Sequence, residues 1–203
     1  MINFDKLVAY FEKFPGVGAR QAKRFAFHVL TMKREQVAEL SDLISSLSNS
    51  VTECVFCHRF FSHGQTTVCQ ICNDVNRDEH KLLVVASDND IQAIERSGIY
   101  NGLYFVLGGM VPLLSKDTDQ KLRSGALKAL VTERTKADEL EVILGFAVNP
   151  DGENTSRFIE SLLADYSIAG KIKVSHLGRG LSTGSELEYA DSETIKSALR
   201  NRL

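Results

Sequence analysis

The four cysteines of this 203-residue chain stand as Cys54-x2-Cys57 and Cys69-x2-Cys72, with none left over. A Cys-x-x-Cys turn sets two thiolates on one side of a tight loop. Two such turns facing each other build the tetrahedral sulfur cage that Zn2+ favours. The same sulfurs could pair as two disulfides or hold iron, but disulfides require an oxidising compartment and zinc is the expected occupant. One ion per chain is expected, with a structural role, because a closed four-thiolate site keeps no coordination position open for chemistry. His58 and His63 flank the knuckles and read as bystanders.

A second arrangement is FPGVGARQAKRF, residues 14–25, in which Gly16 and Gly18 precede Arg20, Lys23 and Arg24. One reading is a plain turn between packed helices. The other is a helix-hairpin-helix, in which glycines let the backbone approach a phosphate and the N–H groups opening the second helix point at it. The three cations fall opposite that helix's apolar stripe and are free to meet a ligand. Contacts of this kind address phosphates and not base edges, so binding to DNA would be sequence-independent and salt-sensitive.

Acids form the third candidate set. Asp88 and Asp90 follow the first strand of an α/β region, and Asp151 and Glu153 follow a later one, where carboxylates can hold Mg2+ for phosphoryl transfer. Asp88 reads equally as a helix cap, and Asp151 and Glu153 as loop acids. GRGLSTG, residues 178–184, lacks the Gly-Lys-Ser/Thr ending that positions a nucleotide's phosphates, so no ATPase is read here. The five histidines show no ligand pair at i, i+4, and nothing suggests covalent catalysis.

These groups need elements to hold them. Phe4, Leu7, Val8 and Phe11 predict a first helix after Asn3 as N-cap, and a second begins near Ala19 with Ala22, Phe25, Ala26, Val29 and Leu30 as its stripe. Val37, Leu40, Ile44, Leu47 and Val51 predict a third. Beyond the cysteines, residues 82–86, 103–107, 141–148 and 171–177 read as strands. Helices are expected after Asp88 or Asn89 as a cap with a stop at Gly98, near 117–131, near 154–168, and at the C-terminus. The order predicts an α+β multidomain chain: a helical domain over 1–52, a cysteine region over 53–77, an α/β domain with a mainly parallel sheet over 78–178, and a tail with a final helix over 179–203.

Composition sets outer bounds. With 43% hydrophobic residues, 25% charged and no long apolar run, a soluble chain without a membrane span is expected, and MINFDKLVAYFEKF lacks the layout of a signal peptide, which points to the cytoplasm. Net charge is −2, yet residues 1–34 hold seven Lys or Arg against two acids, so the remainder carries −7. One end can attract a polyanion while the body repels it.

The order of FPGVGARQAKRFAFHVL, four cysteines, AIERSGIYNGLYFVLGGMVPLL and RGLSTGSELEYAD resembles the RecR family of bacterial recombination mediators, over essentially the whole chain. The resemblance implies a helix-hairpin-helix domain, a zinc finger, a Toprim domain and a short tail. It implies a homotetrameric ring able to encircle DNA, acting with RecO and RecF to load RecA onto gapped DNA coated by single-strand-binding protein, hence near the nucleoid. It carries DNA contact onto Gly16, Gly18, Arg20, Lys23 and Arg24, zinc ligation onto Cys54, Cys57, Cys69 and Cys72, and RecO docking onto the acids Asp88, Asp90, Asp151 and Glu153. Catalytic Toprim enzymes place a glutamate and an Asp-x-Asp where this chain has Ala86, Asn149 and Asp151, and one carboxylate of three makes a poor Mg2+ cage. The expectation is a DNA-repair adaptor that is not an enzyme. The alternatives are a Mg-dependent Toprim nuclease or primase, and a zinc-containing regulator reading bases through Arg20, Gln21 and Arg24.

Overall fold

The computed structural model describes residues 2–62, 64, 66–113, 122–178, 180–181, 184, 186–190 and 192–200. It divides into two compact units, Met1–Thr52 and Glu53–Leu203, each described below by itself.

In the first unit, α1 (Ile2–Phe11) packs on α2 (Ala19–Thr31), and α3 (Arg34–Ser50) follows. Ala22 and Ala26, one turn apart, are fully buried, and their small side chains leave room for Phe4 to meet Phe27 and for Phe11 to meet Phe25 edge-on. The buried stripe of α2 is narrower than its sequence pattern, since Phe25 and Leu30 are exposed. Asn3 lies inside α1 rather than capping it. Leu40, Ile44 and Leu47 on α3 are also exposed, and Val51 leaves that helix to begin β1 (Val51–Glu53).

The second unit is a four-stranded parallel sheet in the order β4-β3-β5-β6, built from β3 (Asp78–Val85), β4 (Gly102–Val106), β5 (Leu140–Gly145) and β6 (Ile172–His176). β3 runs Leu82-Leu83-Val84-Val85 without a polar residue because successive side chains enter opposite faces and both faces are covered. Leu82 and Val84, with Phe105, Val142 and Leu144, pack under Leu127 and Val131 of α5 (Ser124–Arg134) and Ile159 of α6 (Pro150–Leu162). Leu83 and Val85, with Tyr104 and Val106, face Ile91 of α4 (Asp88–Ser97), and beside it stand Cys54, Cys57, Cys69 and Ile71. The cysteine region, including the short β2 (Phe60–Ser62), thus shares with α4 the layer that covers one face of the sheet.

Boundaries move where local chemistry acts. The helix expected over 154–168 begins at Pro150, where Asn149 accepts the Gly152 N–H at 2.8 Å, and it breaks at Leu163 before α7 (Ala164–Ile168). α5 starts at Ser124, and the expected helical residues 117–121 lie outside the described residues. β5 stops at Gly145, and Asn149 N–H turns back to the Ala147 carbonyl. The tail contributes a 3-10 turn (Leu187–Tyr189) and α8 (Ser192–Arg200), while Arg179, Ser182, Thr183, Ser185 and Asp191 of its motif lie outside the described residues.

Among the described glycines Gly152 sits tightest: a Cβ there would run into the Ala147 carbonyl oxygen, whereas Gly125 in α5 faces open space. Gly152→Ala is expected to cost about 1–3 kcal/mol through backbone displacement. Gly125→Ala should gain roughly 0.5–1 kcal/mol from helix propensity. Thermal melts of the two variants check this, and equal melting temperatures would contradict the packing account.

Candidate functional site

In the first unit, Pro15 and Gly16 form the centre of a type II turn, with the Val17 N–H donating to the Phe14 carbonyl at 3.1 Å. The second central position of that turn needs a positive φ, and Gly16 has +75°. Gly18 is different. Its φ is −85°, and a Cβ on it would meet nothing within 4 Å, so nothing in the chain's own packing demands glycine there. As N-cap of α2 it offers no side chain, and the first intrahelical bond is made by the Ala22 N–H. The amides ahead of Ala22 are therefore left without a cap at the positive end of the helix dipole. Arg20, Lys23 and Arg24 are exposed around this opening, and Arg24 donates to Gln21 Oε1 at 3.1 Å, which fixes its direction. The 13 residues of α2 include no acid.

In the second unit, the Sγ atoms of Cys54, Cys57, Cys69 and Cys72 lie within 4.8 Å of one another, the first three buried. Among the described residues they are the one group of three or more potential metal ligands gathered in this way. Cys57 and Cys69 are 3.6 Å apart, far beyond a disulfide bond of about 2.05 Å but close to the roughly 3.8 Å between two sulfurs on one tetrahedral ion with 2.3 Å bonds. The Cys69 N–H points at Cys54 Sγ from 3.4 Å and ties the two knuckles together. The hydrogen bond between Cys57 and Cys69 lowers the Cys69 thiol and raises the Cys57 thiol, as expected of two sulfurs held close enough to share a proton. The donor set fits a four-coordinate divalent ion.

His58 is engaged elsewhere. Its backbone is left-handed, at φ 59°, its ring stands edge-on to Phe105, and Nδ1 lies 2.7 Å from Glu53. His63 lies outside the described residues.

Several bonds fasten the cysteine region to the sheet. The Val106 N–H donates to the Cys57 carbonyl at 2.8 Å, and the Phe60 N–H to Asp88 Oδ1 at 2.8 Å. Arg123 reaches Glu53 at 3.1 Å and the Val106 carbonyl at 3.2 Å. Arg77, just past the second knuckle, makes a two-pronged pair with Glu95 of α4 at 2.6 and 2.8 Å, and Tyr104 donates to the same carboxylate at 2.6 Å. None of these partners had a sequence signal, because they are separated by 9 to 70 positions and obey no helical or strand period.

The acids are occupied by the fold. Asp88 does not cap α4: its Oδ1 accepts the Phe60 N–H, Ser87 is the cap, and Asp90 accepts from the Ser87 N–H at 2.8 Å and its hydroxyl at 3.0 Å. Asp151 accepts the Leu113 N–H at 3.0 Å, and neighbouring Thr155 accepts from Val111. The β3/β5 boundary is where helical connections switch faces, the usual location of a ligand crevice in such sheets. There Ala86 contributes a methyl group, Asn149 is spent on its cap, and Asp151 retains one oxygen.

The Arg77 hydrogen bonds hold the Glu95 carboxyl below its ordinary range. A depressed carboxylate stabilises the fold above its unfolded pKa, and that contribution is lost as pH falls through the folded one. Glu95→Gln is therefore expected to cost about 1–2 kcal/mol at neutral pH, with the gap to the parent closing below about pH 4. Urea melts across pH check this, and a constant gap would contradict it.

Comparison with known proteins adds to this geometry. Family models described as "RecR, helix-hairpin-helix" and "RecR, C-terminal" match residues 4–47 and 180–203. A protein of Dehalococcoides mccartyi named Recombination protein RecR is 35% identical over 198 residues, covering 98% of this chain and 92% of the relative. Proteins of the same name from Lactobacillus acidophilus and Streptococcus thermophilus are 35% and 36% identical over 197 residues, covering 97% of this chain and 94% of each relative.

Proposed function

The chain belongs to the RecR family of recombination proteins, and from that premise we propose that it is a non-enzymatic mediator that clasps DNA by its backbone. The observation that carries this reading is the opening of α2: a Gly18 that no internal contact requires, amides without a cap, and Arg20, Lys23 and Arg24 exposed around them. A phosphate fits such a helix start by hydrogen bonding and by dipole. Gly16 shapes the turn, Gly18 keeps the approach clear, and the three side chains add charge without reading bases.

The four cysteines hold one structural Zn2+ per chain. Zinc fits the donor chemistry, and its contribution is to neutralise the buried thiolates and tie the two knuckles together. Residues 1–52 then form the hairpin domain, 53–77 the zinc finger, 78–178 the Toprim domain and 179–203 the tail. The wider role follows the family resemblance: a homotetrameric ring acting at the nucleoid, in the cytoplasm, with RecO and RecF to load RecA onto gapped DNA. The exposed Leu40, Leu43, Ile44 and Leu47 on α3 support self-association. RecO docking is proposed at the carboxyl end of the sheet, where Asp88, Asp90, Asp151 and Glu153 lie. An adaptor role agrees with the commitment of Asp88, Asp90 and Asp151 to bonds within the fold.

Three experiments test these proposals. Lys23→Glu with Arg24→Glu should weaken binding to DNA of any sequence and flatten the log–log salt dependence by about 0.9 for each duplex phosphate that is no longer neutralised. In the same reactions, added Mg2+ should leave labelled DNA uncut. Unchanged affinity would remove the clasp, and metal-dependent cleavage abolished by Asp151→Ala would overturn the adaptor reading. For the metal, Cys57→Ser should empty the site, read by elemental analysis, and lower the melting temperature. A variant retaining both zinc and stability would sink the structural role.

A further inference from the structure

On the β5/β6 side of the sheet, at its carboxyl end, the second unit holds a cavity of about 770 Å³. That volume lies within the span of small-molecule sites, roughly 300–1,000 Å³. Leu144, Phe146 and Leu177 give it apolar walls. α6 lines it with Glu153 and Ser156, one turn apart, and α8 with Thr194 and Ser197, also one turn apart. One of these groups is unexplained by the fold. Ser156 is only 6% exposed, yet its hydroxyl borders the cavity and makes no hydrogen bond among the described residues. A buried hydroxyl without a partner costs free energy that an occupant can return.

The lining decides the charge of that occupant. Glu153 is an acid, and among the described residues no Lys or Arg lines the cavity. His176, also in the lining, is directed to Glu160, 2.8 Å from its Nε2. The chain beyond residue 34 carries −7, so the field of the body adds to the preference for a cation. A phosphate or carboxylate would enter without a counter-charge. An ammonium group finds a carboxylate, hydroxyl oxygens and the Phe146 ring, while methylene groups find Leu144 and Leu177.

From this arrangement we propose that the cavity binds an aliphatic polyamine, a chain of methylenes carrying several ammonium groups. The Ser156 oxygen accepts one N–H of the guest, and Glu153 balances its charge. Such a guest offsets part of the negative charge of a body that otherwise repels DNA. Glu153 also belongs to the docking surface proposed above, and the test uses the protein without partner or DNA so that the two readings fail separately.

The test is isothermal titration calorimetry of the full chain with spermidine at fixed ionic strength, with Mg2+ and Nα-acetyl-lysine amide titrated alongside. Saturable binding of one spermidine per chain is expected, tighter than either companion. Ser156→Ala should weaken it about tenfold, and Glu153→Gln roughly ten- to a hundredfold, the range for hydrogen bonds to charged groups. Without ligand, Ser156→Ala should melt at or above the parent temperature, because the hydroxyl has no bond to lose and alanine is the better helix former. A lower melting temperature would show that the hydroxyl serves the fold and would overturn the argument. Spermidine binding no tighter than Mg2+ binding, or unchanged in either variant, would remove the site. Equal affinity for the lysine derivative would overturn a free polyamine as the occupant in favour of a partner's lysine side chain.

Discussion

The interaction on which most of this molecule depends is the seating of the cysteine knuckles on the sheet. A parallel sheet requires cover on both faces, and here α5 and α6 cover one, while on the other the short α4 shares the task with Cys54, Cys57, Cys69 and Ile71. The Cys57 carbonyl accepts the Val106 N–H, and Asp88 at the start of α4 accepts the Phe60 N–H. The cysteine cluster and the Toprim-like sheet are therefore packed as one body. Disturbing the sulfurs exposes Leu83, Val85 and Tyr104 as surely as it loosens a loop.

The same seating explains what became of the acids. In a sheet of this topology the crevice at the β3/β5 switch is the natural place for phosphoryl chemistry. Ala86 has no ligand to offer, Asn149 starts a helix, and Asp151 steadies Leu113. Asp88 holds the cysteine region by the Phe60 N–H, so a residue type associated with metals acts here as mortar.

How much was legible in advance follows from the range of each signal. The cysteine spacing, the α4 stop at Gly98 with φ 66°, and the unbroken apolar run of β3 are local patterns, and each appears in the structure. The family resemblance agrees with the whole-length similarity to RecR proteins. The Asn3 and Asp88 caps were misplaced because a polar residue near a helix start is an ambiguous signal, settled at α4 by Ser87 with Asp90 three positions later. The exposure of Phe25 and of the α3 stripe was illegible for a different reason. Periodicity reports which face is apolar, and not whether the single chain has anything to place against it.

The bare start of α2 has one further meaning. A serine or aspartate at Gly18 would have satisfied that helix from within, at a gain of only a few tenths of a kcal/mol over glycine. The helix is instead left one acceptor short, and under the clasp proposed above an arriving phosphate would complete its hydrogen bonding. Recognition and the last increment of local folding would then be the same event, with the hairpin's missing acceptor supplied by its ligand.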